Sequence, residues 1–339
     1  MTRALLGTLL FFLICAANAG TGVDVLPGLE GDGPITVFYP TAAAEQPVER
    51  GPFKLKLAER GKPERGNGRL VVVSHGSGGS PWVYADLARA LVEAGFVVAM
   101  PEHQGDNYRD FSKIGPASWK LRPAEVSRAI DALSRDARFA SLLSVDKVGV
   151  YGMSAGGHTA LTLAGGRWSP ALLAKFCDAH IEEDFAACVG LATRLRGNFF
   201  DSWKIAAART FIRWRLTDAT PQSFNDPRVR AVVAGVPFAA DFDPASFASL
   251  RAPLALVTAD RDKWLVPRFH SDAVLKACPQ CERLAEIHGG GHGALLSPYP
   301  PGLPEILADL MDDPPGFDRK VLPEVDRKIA GFFRKHLLP

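Results

Sequence analysis

VDKVGVYGMSAGGHTALTLAGG, Val145–Gly166, reads as three pieces in succession. Lys147–Tyr151 is a short apolar strand, and Gly152-Met153-Ser154-Ala155-Gly156 is a Gly-x-Ser-x-Gly turn. The Ala-, Leu- and Thr-rich remainder is a helix. A chain that reverses sharply from strand to helix crowds its own backbone, and glycines two before and two after the serine remove the Cβ atoms that would clash. The pattern therefore predicts Ser154 at the tip of the turn in a strained conformation, with Oγ above the edge of a sheet. The amide of Ala155 then opens the helix and points to where an oxyanion would form.

Working outward, the flanking segments alternate strand and helix. Leu70–Ser74 and Gly95–Met100 are continuous apolar runs, as expected of strands buried on both faces. Helices are predicted over Trp82–Ala94 and Pro123–Ser134, with further strands at Arg230–Val236, Leu254–Thr258 and Arg283–His288. Gly33–Thr41 and Phe53–Leu57 are early strands, read as an antiparallel pair joined by a polar loop. A helix over Arg268–Ala277, a Pro-rich loop with one short helix over Pro298–Phe317, and an amphipathic helix over Val325–Leu338 complete the chain. This spacing implies right-handed βαβ units: an α/β fold with a mostly parallel sheet flanked by helices. Arg167–Thr220 interrupts the rhythm as a helix-prone insertion. The expected organisation is a signal peptide over 1–19 and one domain over 20–339.

The composition narrows the function. With 47% hydrophobic and 22% charged residues among 339, the chain can build a large core, and a net charge of +2 offers no field for nucleic acid. Arg3, the apolar run Ala4–Ala16 and the Ala17-Asn18-Ala19 cleavage pattern make a secretory leader. The run is too short for a stable membrane span. The expected location is periplasmic or secreted. Export makes the four cysteines beyond Cys15 disulfide candidates, most simply Cys177–Cys188 and Cys278–Cys281.

An activated serine needs a base and the base an orienting acid. His292, in Gly289-Gly290-Gly291-His292-Gly293 after the last strand, is the base. His288 is its rival, His158 a packing residue on the nucleophile helix, and His75 a residue that shapes its loop. The acid follows Leu254–Thr258; Asp262 is preferred for its reach, with Asp260 as the alternative. The second oxyanion amide is that of Ser77 in His75-Gly76-Ser77-Gly78-Gly79, a loop that lacks both the lysine of a P-loop and the G-x-G-x-x-G spacing. No metal or organic cofactor is implied.

The order Ser154…Asp262…His292, with the elbow and the His-Gly loop, resembles the α/β-hydrolase superfamily. More narrowly, SHGSGGS (Ser74–Ser80), GFVVAMPEHQGDN (Gly95–Asn107) and YGMSAGG (Tyr151–Gly157) resemble the predicted dienelactone hydrolases. These are relatives of platelet-activating-factor acetylhydrolases and cutinase-like polyester hydrolases. The resemblance implies Ser154 as nucleophile, Asp262 as acid, His292 as base, and the amides of Ser77 and Ala155 as oxyanion hole. Dienelactone hydrolases proper use cysteine where this chain has Ser154, so the resemblance carries no substrate with it. The expected activity is hydrolysis of carboxylic esters, on a small-molecule or lipid-like substrate, through an acyl-enzyme. The alternatives are a peptidase or amidase on the same triad, or an inactive hydrolase fold serving as a binding protein. In the insertion, Phe199, Phe200, Trp203, Phe211 and Trp214 are expected to pack onto the core rather than to line an acyl-binding lid.

Overall fold

The computed structural model describes residues 20–339, so the leader reading over 1–19 lies outside the described residues. Ten strands form one sheet: β1 (Gly20–Leu26), β2 (Ile35–Thr41), β3 (Gln46–Arg50), β4 (Phe53–Glu59), β5 (Leu70–Ser74), β6 (Val97–Pro101), β7 (Val148–Met153), β8 (Val229–Gly235), β9 (Leu254–Ala259) and β10 (Glu282–Ile287). Their spatial order is β10-β9-β8-β7-β5-β6-β2-β1-β4-β3. The run β6-β5-β7-β8-β9-β10 is parallel throughout. This is the α/β-hydrolase architecture.

Strand β5 shows why apolar runs make the centre of such a sheet. Side chains alternate between faces, so Leu70 and Val72 enter one core while Val71 and Val73 enter the other. The helices Pro116–Arg135 and Ala155–Ala164 cover the first face; Ala85–Glu93 and Leu322–Leu337 cover the second. The loops that leave the carboxyl ends of β5, β6, β7, β9 and β10 emerge at one edge of the sheet, where open α/β sheets hold their ligands. Among the described residues no helix is long and apolar enough to cross a membrane.

Three expectations need correction. First, β2 and β4 are not paired with each other. Strand β1 lies between them, antiparallel to β2 and briefly parallel to β4, while β3 forms the hairpin with β4. The sequence hid β1 because it directly follows the segment read as a leader, and β3 because the polar Gln46, Glu49 and Arg50 of an exposed edge read as loop.

Second, the second helix begins at Pro116, and Pro123 lies inside it. A helix-interior proline is worth roughly 3 kcal/mol of destabilisation. Here the preceding turn is anchored from outside, because Arg122 is fully buried and bonded to Asp106 and the His75 carbonyl. Tertiary contacts override the local breaker.

Third, the aromatics of the insertion do not pack onto the core. Phe199 and Trp203 are 74% exposed and Trp214 73%, with Phe200 and Phe211 also exposed. The insertion folds as three helices, Pro170–His180, Phe185–Val189 and Asp201–Arg215. Ile212, on the opposite side of the last helix, makes the contact with the core instead. Both expected cysteine pairs stand at disulfide distance, Cys177 with Cys188 and Cys278 with Cys281.

Candidate active site

Strand β7 runs to Met153, and Ser154 follows it with φ 58° and ψ −119°, a positive-φ conformation that costs a non-glycine residue about 1–3 kcal/mol. Backbone bonds on either side hold it there. Ser154 N–H donates to the Gly235 carbonyl at 3.1 Å, and the Ser154 carbonyl accepts from Phe238 at 3.1 Å and His158 at 3.0 Å. The turn's two glycines are required by contact. A Cβ on Gly152 would lie 1.9 Å from the Gly156 carbonyl oxygen, and one on Gly156 would lie 1.9 Å from that of Ser74.

Above this turn the expected side chains meet. His292 Nε2 is 2.9 Å from Ser154 Oγ, and its Nδ1 is 2.7 Å from Asp262 Oδ2. His292 and Asp262 are both buried. The other carboxylate oxygen, Asp262 Oδ1, accepts from the amides of Trp264 and Leu265, each at 2.8 Å. Asp262 thus presents one oxygen to the imidazole while the backbone fixes the other. An imidazole so held can take the proton of a hydroxyl and return it to another oxygen.

The rival residues form a separate pair. His288 Nδ1 is 3.4 Å from Asp260 Oδ2, and His288 is mostly exposed; Asp260 Oδ1 accepts from Gly289 N–H at 2.7 Å, which shapes the glycine loop. His158 is fully buried, stacked on Trp119 with ring centroids 4.6 Å apart, and its Nε2 lies 3.1 Å from Asp241. It packs the helix Ala155–Ala164.

The loop after β5 closes the site. A Cβ on Gly76 would stand 3.5 Å from Ser154 Cβ, and Ser77 lines the same cavities as Ser154. Among the described residues the amides of Ser77 and Ala155 have no acceptor. The loop's shape depends on residues that sequence reasoning left without a role. Asp106 Oδ1 accepts from the Ser77 hydroxyl at 2.6 Å and the Gly78 amide at 2.9 Å, and its Oδ2 pairs with Arg122 at 2.8 Å. Burial alone would raise this carboxyl, but Arg122, the Ser77 hydroxyl and the Gly78 amide hold it below its ordinary value. Tyr84 adds a hydroxyl that accepts from Gly76 N–H at 3.0 Å. The signal for Asp106 was in view, in the PEHQGDN stretch at the end of β6. The signal for Arg122 was masked by its place before a proline.

A second serine–histidine–carboxylate chain runs beneath the site. Ser74 Oγ is 2.8 Å from His103 Nε2, whose Nδ1 meets Glu125. All three are buried, and none borders either cavity that opens on Ser154. Burial pushes His103 well below its ordinary value and Glu125 above its own. This chain ties β5, β6 and the helix Pro116–Arg135 together. His75, its ring tilted against that of His103 with centroids 4.8 Å apart, is likewise pushed down by burial and bonds its own loop through Gly76 O at 2.7 Å.

A serine on a strand-to-helix elbow, followed in sequence by an aspartate and a histidine over the carboxyl ends of parallel strands, defines the chain as an α/β-hydrolase. Residues 67–298 match the family model described as Hydrolase_4, serine aminopeptidase, S33, and the chain belongs to that family of hydrolases. The matching family is described differently from the dienelactone hydrolases that the three motifs resemble. No curated protein sequence matches the chain. Among solved structures it is similar to a ferulic acid esterase from Streptomyces cinnamoneus, with a TM-score of 0.58 at 18% identity. That likeness covers 96% of this chain and 91% of the other, and at this identity it speaks to the fold.

Proposed function

We propose that the protein is an exported serine hydrolase that cleaves carboxylic esters through an acyl-enzyme. The observation that carries the reading is the continuous Ser154–His292–Asp262 hydrogen-bond chain, 2.9 and 2.7 Å at its two links. In the proposed reaction His292 Nε2 accepts the Ser154 proton as Oγ bonds to the ester carbonyl carbon. The carbonyl electron pair moves to the oxygen, which the amides of Ser77 and Ala155 receive. Collapse breaks the bond to the alcohol oxygen, which leaves with the proton from Nε2. Water then repeats the sequence on the acyl-enzyme and releases the acid. Asp262 holds the imidazole tautomer and stabilises the imidazolium without taking its proton.

Esters rather than aminopeptides are favoured by the walls of the site. An aminopeptidase must hold a cationic α-ammonium, and among the described residues no aspartate or glutamate borders either cavity at Ser154. The esterase described for the structural neighbour agrees with this choice. Export is supported by the leader pattern and by the two cysteine pairs, which suit an oxidising compartment. The domain division proposed is a cleaved leader over 1–19 and one catalytic domain over 20–339.

The test is hydrolysis of p-nitrophenyl acetate by the mature protein and by Ser154→Ala. Loss of turnover in the variant supports the reading; an equal rate in both overturns it. Cleavage of aminoacyl anilides with none of esters would move the protein to the peptidase reading.

A further inference from the structure

Two cavities open on Ser154, and they are unequal. The larger, about 660 Å³, runs beneath the insertion helices and is walled by Trp119, Leu173, Val189, Ile212, Leu216 and Phe238. The smaller, about 290 Å³, lies toward Leu303, Leu307 and Met311. Ser77, Ser154 and Trp264 border both, so they form the wall between. Of the catalytic candidates, His292 borders only the smaller cavity and Ala155 only the larger.

Acyl transfer gives this asymmetry a meaning. The tetrahedral centre on Ser154 carries Oγ, the oxyanion, the acyl chain and the leaving oxygen. The leaving oxygen must take its proton from His292 Nε2, so it has to lie within roughly 2.6–3.2 Å of that nitrogen. The cavity that holds His292 is therefore the leaving-group side. With the oxyanion turned to the amides of Ser77 and Ala155, the acyl chain has only the other cavity. The attacking water of deacylation gives its proton to the same nitrogen, so it comes from the side the alcohol vacated.

The geometry points to esters of a bulky, apolar carboxylic acid with a small alcohol as the substrate class. The acyl group occupies the 660 Å³ cavity and the alcohol the 290 Å³ cavity. This rests on the serine-esterase reading above. Sites for drug-sized ligands span about 300–1,000 Å³, so the first volume suits a long alkyl or aryl acid and the second only a short alcohol. The charged groups of the larger cavity do not change its character. Lys204 is engaged by the Arg194 carbonyl at 2.8 Å and Asp201 at 2.7 Å, and Arg215 is exposed to solvent. Its roof is fastened by the Cys177–Cys188 pair and by Asp184, which accepts from His270 Nε2 at 2.8 Å while His270 Nδ1 accepts from Ala239 N–H.

The test uses two ester series on the mature protein: methyl esters of acids from acetic to decanoic and cinnamic, and acetates of alkyl alcohols of similar acidity, from methyl through benzyl to naphthylmethyl. The expected kcat/KM rises at least tenfold along the acid series and falls along the alcohol series. Ala208→Trp, or Ala187→Phe should the first fail to fold, narrows the larger cavity. Either is expected to lower the decanoate-to-acetate ratio of kcat/KM at least tenfold. Leu307→Trp, or Leu303→Trp, is expected to lower the benzyl-to-methyl ratio among acetates and to leave the decanoate-to-acetate ratio within twofold. Opposite assignments, with Ala208→Trp acting on the alcohol series, overturn the orientation while the esterase reading stands. No hydrolysis of any ester by a wild-type protein that folds overturns both.

Discussion

Replacing Asp106 by Asn removes one charge from the support of the proposed oxyanion loop while keeping its shape. In the native site Oδ1 holds the Ser77 hydroxyl and the Gly78 amide, and Oδ2 faces the guanidinium of Arg122, both partners being fully buried. The asparagine can keep its oxygen toward Ser77 and Gly78 only by turning its NH2 group toward Arg122, donor against donor. An uncompensated buried charge of this kind costs about 3–5 kcal/mol. Arg122 keeps its bonds to the His75 carbonyl and to Ser118, so the lower end, about 3 kcal/mol, is expected. Activity should fall as well. Outright loss of an oxyanion donor costs about 10²–10³ in kcat, and a displaced donor less, so a drop of about 10- to 100-fold in kcat at similar KM is expected. Urea unfolding and steady-state kinetics on p-nitrophenyl acetate measure the two effects. The double variant Arg122→Met/Asp106→Asn should lose less stability than the sum of the singles, because it removes the stranded charge. The reasoning fails if Asp106→Asn stays within about 0.5 kcal/mol of wild type, as an ordinary surface change would, with kcat unaltered.

Asp262→Asn should fold normally yet lose about 10⁴ in kcat, since the amide favours the wrong imidazole tautomer; circular dichroism with kinetics checks both halves. Gly156→Ala should yield little folded protein, because the new methyl would meet the Ser74 carbonyl oxygen at 1.9 Å, backbone that cannot move aside; soluble yield and thermal unfolding report it. Asp326→Asn should stabilise the protein at pH 8 and leave it unchanged at pH 4. Burial, with Asp86 nearby, raises Asp326 from 3.8 to about 7, so the folded state holds a proton the unfolded state has lost, and stability falls as pH rises through that span. At 1.36 kcal/mol per pH unit the full effect is roughly 4 kcal/mol, and partial solvent access at this half-buried site reduces it to about 2, measurable by urea unfolding at the two pH values.

The parts of the molecule that could be read from sequence are those where local chemistry leaves few choices. Leu70–Ser74 could only be a strand buried on both faces, and the glycines around Ser154 could only serve a turn too tight for a Cβ. His292 and Asp262 could be preferred over His288 and Asp260 because reach over a sheet edge is a property of position along a loop. What could not be read depends on partners far away in the chain. Arg122 looks like a surface residue before a helix-starting proline until Asp106 and the His75 carbonyl are brought to it. The exposed stripe of Phe200, Trp203, Phe211 and Trp214 could not be told from a buried one, since both repeat at helical spacing. The division of the site into two cavities of unequal size was equally out of reach, because their walls come from segments as far apart in the chain as Pro52 and Leu307.

The central claim, that Ser154 is the nucleophile activated by His292, is tested most directly by reaction with a fluorophosphonate followed by peptide mass spectrometry. The account expects one phosphonyl group per chain, carried on Ser154, and none in a folded His292→Ala variant over the same time. A wild-type protein that stays unlabelled, or that carries the label on another residue, would contradict it.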